Sequence, residues 1–236
     1  MKISLIIPMY NESSIVEQTA HTLSTYMSES FEEYEVIFFD DGSSDNCCEV
    51  VNSLELPFVR AERYDKNRGK GCAVRHGMLS ADGEIRIFTD ADLAYGTEVI
   101  EKAVNIMVNN ENTHMVIGSR NIDKDGYEGY TWYRKLMSKA YIKVLGAVGG
   151  FKLSDSQCGI KAFRGDVAEA IFSKCEVDGF AFDFEVILRA IKSGFYISEM
   201  PVKIINHRES TVRPVRDSIK MLGDLRRIKK NVNKKA

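Results

Sequence analysis

The sequence predicts an α/β fold, a Rossmann-like, mostly parallel sheet with helices on both faces, and three observations lead there. Short apolar runs alternate with helical patterns through the first 120 residues. The runs are continuous rather than alternating, as in strands buried from both sides. Acidic turns follow the runs, at the strand ends where open α/β sheets receive their ligands.

The elements follow in order. Residues 3–8 (ISLIIP) read as a strand, and Ile15, Val16, Ala20, Leu23 and Met27 then share one helical face. Residues 34–40 (YEVIFFD) form a second buried strand closed by a DGSSD turn, in which Ser43 or Ser44 could cap the next helix. That helix runs through Val50 and Leu54, and a short strand lies near 58–64. Residues 67–81 read as a glycine turn opening a helix, 84–90 as a strand, 97–110 as a helix and 114–119 as a strand. The second half is less regular. A helix over 131–148 places Trp132, Leu136, Ala140 and Val144 on one face, and a polar loop around Asp155 leads into GIKAFR at 159–164. Helices at about 166–173 and 182–194 precede a strand at 196–204. No linker, repeat or low-complexity stretch divides residues 1–213, so a single domain is expected. Residues 214–236 read as a basic amphipathic helix, with Ile219, Leu222, Leu225, Ile228 and Val232 at helical spacing beside Arg226, Arg227, Lys229 and Lys230.

Composition narrows the class. With 44% hydrophobic and 28% charged residues among 236, the chain can bury a core and is not disordered. A net charge of -2 advertises no nucleic-acid partner, yet residues 216–236 carry eight Lys/Arg against two Asp. A basic end on an acidic body suggests a local anionic partner. Five cysteines without CxxC spacing argue against disulfides or structural zinc and for a reducing, cytoplasmic setting. No stretch approaches the roughly 20 apolar residues that span a bilayer, so any membrane contact is expected to be peripheral.

The chemistry lies in the turns. Asp90-Ala91-Asp92 sets two carboxylates one residue apart where a strand breaks, suited to Mg²⁺ or Mn²⁺, which take hard oxygen ligands and keep waters or phosphates elsewhere. Asp40-Asp41-Gly42-Ser43-Ser44-Asp45 offers a carboxylate for a base or ribose hydroxyl at an earlier strand end. Asn67-Arg68-Gly69-Lys70-Gly71 looks like a phosphate loop but is not a Walker A, since Tyr64 stands where its first glycine belongs. His21, His76 and His114 lack partners at ligand spacing, His207 could face the site, and Cys158 reads as a small packed residue.

In their order, Pro8-Met9-Tyr10-Asn11-Glu12, Asp40-Asp41-Gly42-Ser43-x-Asp45, Asn67-x-Gly69-Lys70-Gly71 and Asp90-Ala91-Asp92 resemble the family 2 glycosyltransferases of GT-A fold. Gly118-Ser119-Arg120, Arg134, Asp155-Ser156-Gln157-Cys158-Gly159-x-Lys161, Phe182-Asp183-x-Glu185 and Glu199-x-Pro201-Val202 look like the dolichyl-phosphate glucosyltransferase and polyprenyl-phosphate glycosyltransferase branch. Leu93 stands where mannosyl-phosphate synthases usually have a metal-contacting Gln.

The resemblance implies roles. Residues 1–120 would form the nucleotide-sugar half and 121–213 the acceptor half. Pro8, Tyr10, Glu12 and Asp41 would hold the nucleoside, Lys70 would lie near the phosphates, and Asp90, Ala91 and Asp92 would hold metal and diphosphate. Arg120 and Arg134 would receive an acceptor phosphate, for which the guanidinium fork is suited. Asp183 is a candidate base, although a phosphate monoester is already largely dianionic at neutral pH and needs none. The expected reaction moves a hexose, first of all glucose from a UDP-linked donor, with inversion onto a polyprenyl phosphate at the cytoplasmic face of a membrane. The alternative is transfer to a glycan or other hydroxyl. A homo-oligomer is compatible with the sequence.

Overall fold

The computed structural model describes residues 1–127, 132–206 and 225–233. Seven strands form one sheet in the order β3-β2-β1-β4-β6-β5-β7. They are β1 (Ile3–Met9), β2 (Tyr34–Asp40), β3 (Val59–Arg63), β4 (Ile85–Phe88), β5 (Met115–Ser119), β6 (Lys161–Arg164) and β7 (Ile197–Pro201). All pairings are parallel except those of β6, which runs antiparallel to both β4 and β5. The expected mostly parallel sheet is therefore present, with GIKAFR supplying the reversed strand.

The helices are α1 (Val16–Ser30), α2 (Cys47–Ser53), α3 (Lys70–Ser80), α4 (Glu98–Asn109), α5 (Trp132–Gly149), α6 (Gly165–Phe172) and α7 (Phe182–Lys192), with a helical segment at 225–233. They cover both sheet faces, as continuous apolar strands require. Ile3, Leu5 and Ile7 of β1 pack with Val16, Ala20, Leu23 and Met27 of α1 and with Val99, Ile100 and Ala103 of α4. Ile6, on the opposite side of the same strand, joins Val74 and Met78 of α3, Phe163, Ile171 of α6 and Phe184 of α7.

Two apolar stripes read from the sequence have opposite fates. Leu225, Ile228 and Val232 are buried in the second cluster, so that face of the C-terminal segment packs on the protein itself. Arg226, Arg227, Lys229 and Lys230 point outward. Ile219, Leu222 and His207 lie outside the described residues. On α5 the core-facing residues are Ile142 and Leu145, whereas Trp132, Leu136, Ala140 and Val144 are all exposed. Among the described residues no helix is long and apolar enough to cross a membrane.

Candidate active site

Because β2, β1 and β4 are neighbours and parallel, the segments after their carboxyl ends converge on one edge. Pro8 sits in β1 just past the last β1–β4 rung, Ile6 with Phe88, where a residue without an N–H is best tolerated. Tyr10 follows and is 46% exposed, presenting a ring at the edge. Glu12 is half-buried, and its charge reaches Asp92.

The turns after β1 and β2 are knitted together. Asn11, at φ 54°, donates its backbone N–H to Ser43 Oγ (2.8 Å), and its Oδ1 accepts from the Ser44 N–H (2.9 Å). Ser43 in turn donates to Asp40, and Asp45 accepts from the N–H groups of Ser13 and Cys47. Neither serine caps α2, which begins at Cys47 after Asn46. The cap read from the sequence is thus replaced by a loop-to-loop bond.

Asp41 is 4% exposed, and its carboxylate accepts from the Arg68 N–H (2.9 Å), the Gly69 N–H (2.9 Å), Asn67 Nδ2 (2.9 Å) and the Tyr64 hydroxyl. These bonds fill its ordinary acceptor positions. Asp41 therefore fixes the 64–69 loop and bounds the pocket through it. The same loop needs Gly69, at φ 116°, because a Cβ there would lie 2.5 Å from the Asp178 carbonyl oxygen. Asp178 also receives Arg75 Nη2 at 2.6 Å, which fixes the start of α3.

That start delivers Lys70. Its ammonium pairs with Asp90 Oδ1. Burial opposes the charged ammonium, but Asp90, Asp183 and Asp92 more than offset it and push the Lys70 pKa up. Asp90 follows β4, and its other oxygen faces Gly159, where a Cβ would lie 2.2 Å away. Ala91 is buried and its carbonyl accepts from Thr19 Oγ1 at 2.8 Å, pinning the turn to α1. Burial and then the like charge of Asp90 push the Asp92 carboxyl up, while Asp92 Oδ1 accepts from the Ala94 N–H. Leu93, at φ 46°, is buried in the sheet's first cluster, so its side chain serves packing.

Asp90 and Asp92 fit a divalent cation in donor chemistry: both are hard oxygen donors one residue apart, and burial and then the Asp90 charge raise the Asp92 carboxyl, which a cation between the two would offset. Among the described residues no group of three Asp, Glu, His or Cys forms a complete cage. Phosphate oxygens and water supply the remaining ligands of such ions.

Asp183, at the start of α7, is buried beside this cluster. Its Oδ1 accepts from Lys161 Nζ at 2.6 Å, and Lys161, fully buried, also donates to the Cys158 carbonyl at 2.7 Å. Burial raises the Asp183 pKa, with Lys161 and then Lys70 pulling it back. Lys161 ends the 155–161 motif, and its role comes from the contact between the start of β6 and the start of α7 that sets it on Asp183. Glu185 turns the other way, accepting from Arg189 and from the N–H groups of Glu176 and Val177.

Arg120 departs from the expectation. It is 8% exposed and pairs bidentately with Asp155, Nε to Oδ2 at 2.6 Å and Nη2 to Oδ1 at 3.0 Å, with its ring-facing side 5.1 Å from the Tyr127 centroid. Its fork is committed to a buried carboxylate and ties β5 to the 154–159 loop, so it does not stand open to an acceptor phosphate. Arg134 lies on α5, and its side chain is outside the described set. His76 stacks on Phe39, His114 Nδ1 accepts from the Tyr196 N–H, and Cys158 is fully buried, all in structural roles.

Comparison with known proteins bears on the family and the fold. The family model described as glycosyl transferase family 2 matches residues 4–172. A dolichyl-phosphate beta-glucosyltransferase of Saccharomyces cerevisiae is 28% identical over 242 residues, covering 94% of this chain and 72% of the relative. One from Trichomonas vaginalis is 30% identical over 236 residues, covering 96% and 72%. Among solved structures, glucosyl-3-phosphoglycerate synthase from Mycobacterium tuberculosis in complex with UDP superposes with a TM-score of 0.72 at 18% identity, covering 97% of this chain and 80% of that one. Mannosyl-3-phosphoglycerate synthase from Rubrobacter xylanophilus gives 0.70 at 16% identity, covering 98% and 74%.

Proposed function

The chain belongs to glycosyl transferase family 2 and is a hexosyltransferase of GT-A fold, and from that premise we propose that it moves glucose from UDP-glucose to the phosphate of a dolichyl or related polyprenyl phosphate, with inversion. One observation carries the assignment of the site. Glu12, Asp41, Asp90 and Asp92 leave the carboxyl ends of three adjacent parallel strands, and Lys70 and Asp183 close the same cluster. The relatives named for transfer to dolichyl phosphate support the acceptor, and they span nearly all of this chain.

In this reading Pro8, Tyr10 and Glu12, with the loop that Asp41 holds, receive the nucleoside. Asp90 and Asp92 are the residues that would hold Mg²⁺ or Mn²⁺, which when bound supplies positive charge to the departing diphosphate. Lys70 adds a tethered positive charge beside the same phosphates. Asp183, held by Lys161, positions this edge of the pocket; a dianionic acceptor phosphate asks no base of it. Arg134 remains the acceptor-side arginine, and Arg120 supports the 154–159 loop through Asp155.

A lipid acceptor requires the site to reach a bilayer. The exposed Trp132, Tyr133 and Leu136 of α5, flanked by Lys135 and Lys139, form the aromatic and basic mixture that settles at an anionic interface. We place the enzyme on the cytoplasmic face, where its five cysteines, all free and buried, stay reduced.

The test is a donor and acceptor screen. Radiolabelled UDP-glucose, GDP-mannose and UDP-N-acetylglucosamine are offered with dolichyl phosphate or with phosphoglyceric acid, with and without Mn²⁺. Glucose should enter the organic phase only with UDP-glucose, dolichyl phosphate and the cation together. Transfer solely to the water-soluble hydroxyl would replace the lipid acceptor by the alternative reading.

A further inference from the structure

The two oxygens of Asp90 have different surroundings. Its Oδ2 faces the backbone of Gly159, where even a methyl group would intrude at 2.2 Å, and its Oδ1 carries the ammonium of Lys70. A cation ligated by Asp90 through Oδ1 competes with Lys70 for that oxygen. The ammonium has somewhere to go, because the charges of Asp183 and Asp92 also act on it. Among the described residues Lys161 is bonded to Asp183 Oδ1, and the second oxygen of that carboxylate can receive a second ammonium.

We propose that Lys70 is a tethered cation that divalent metal displaces from Asp90, and that the released ammonium then pairs with the donor diphosphate, so that metal and nucleotide bind cooperatively. The proposal rests on the reading that Asp90 and Asp92 hold the metal, and deepens it by naming what the metal must evict. Metal alone pays for breaking the Lys70–Asp90 pair; metal arriving with a diphosphate gives the ammonium a new partner. Coupling of this kind is reciprocal, so the nucleotide tightens metal as much as metal tightens the nucleotide.

Mn²⁺ binding, followed by electron paramagnetic resonance of the free ion with and without UDP, tests it on the full-length protein without any turnover. Lys70→Gln should bind Mn²⁺ alone about tenfold more tightly than wild type, since a charge-assisted hydrogen bond no longer has to be broken. UDP should then strengthen Mn²⁺ binding about tenfold less in this variant than in wild type. Lys70→Arg, which restores a tethered cation, should return both values towards wild type, and circular dichroism confirms that each variant folds. Equal Mn²⁺ affinity of wild type and Lys70→Gln, or an unchanged UDP effect, overturns the displacement while leaving the metal site standing. No Mn²⁺ binding by wild type even with UDP overturns the metal reading and this inference with it.

Discussion

Gly159 is the wall against which Asp90 rests: a Cβ on the glycine would lie 2.2 Å from Asp90 Oδ2 and 3.1 Å from its Cγ. The glycine comes from the loop before β6 and the aspartate from the turn after β4, which β6 brings together by pairing antiparallel with β4. Gly159→Ala should therefore displace the Asp90 carboxylate rather than the backbone. Because a misplacement of about 1 Å can cost on the order of 100-fold in rate, the variant should lose about two decades of kcat with a small change in melting temperature. Retained activity would show that Asp90 has room to move without consequence.

Asp92→Asn and Asp90→Asn should each nearly abolish transfer while circular dichroism stays native. EDTA should do the same to wild type, and added Mn²⁺ should restore it. Full activity of either variant, or of the chelated enzyme, would remove the cation from the reaction.

Arg120 and Asp155 make a stability prediction in place of an acceptor prediction. Removing one member of a buried pair leaves an uncompensated charge, so Arg120→Ala should lower unfolding stability by about 3–5 kcal/mol in urea titrations. Arg120→Met combined with Asp155→Leu should lose less than Arg120→Ala alone. If Arg120→Ala instead keeps its stability and raises only the KM for the lipid phosphate, the original acceptor assignment returns.

Glu35 gives a pH dependence away from the site. Burial pushes its carboxyl up, but bonds from Ser4, Arg60 and the Asp82 backbone win and hold it at about 2, against an ordinary value of 4.5. A carboxylate whose folded pKa is depressed contributes stability above its unfolded pKa and loses it as pH falls through the folded one. The contribution should fade between about pH 4.5 and 2. Glu35→Gln should accordingly be less stable than wild type at pH 7, and the gap should narrow as the pH is lowered through that window. A gap independent of pH would mean that shape, not charge, sets the value of Glu35.

Vesicle sedimentation should separate the two basic helices. Wild type should pellet with anionic vesicles at low salt and be released at high salt, each basic residue near the leaflet adding up to about 1 kcal/mol. Trp132→Ser with Leu136→Ser should reduce pelleting several-fold while lipid-free folding is unchanged. Cutting off the C-terminal segment is the poorer test, because Leu225, Ile228 and Val232 would leave the second core cluster exposed. Undiminished pelleting of the α5 variant would move the contact elsewhere.

Much of this molecule is written locally. Short apolar runs at 3–8, 34–40 and 84–90, the last broken by Arg86, read as strands, and helical patterns between them point to a mostly parallel sheet. The turns that end those strands carry Glu12, Asp41, Asp90 and Asp92, so their arrival at one edge followed from chain order and handedness alone. Periodicity could not say which way an amphipathic helix faces. The stripe Trp132, Leu136, Ala140 and Val144 points to solvent, and Leu225, Ile228 and Val232 point to the core, although the two patterns look alike in sequence. Nor could it say which partner a charge would find. Arg120 reaches Asp155 across 35 residues, Lys161 reaches Asp183 across 22, and Lys70 reaches Asp90 across 20. The sequence determined the fold class and the list of reactive residues, because both depend on residue type and short-range spacing. The tertiary structure decided which carboxylates are committed and which remain available, because a buried charge takes whichever partner the packing of distant strands and helices sets beside it.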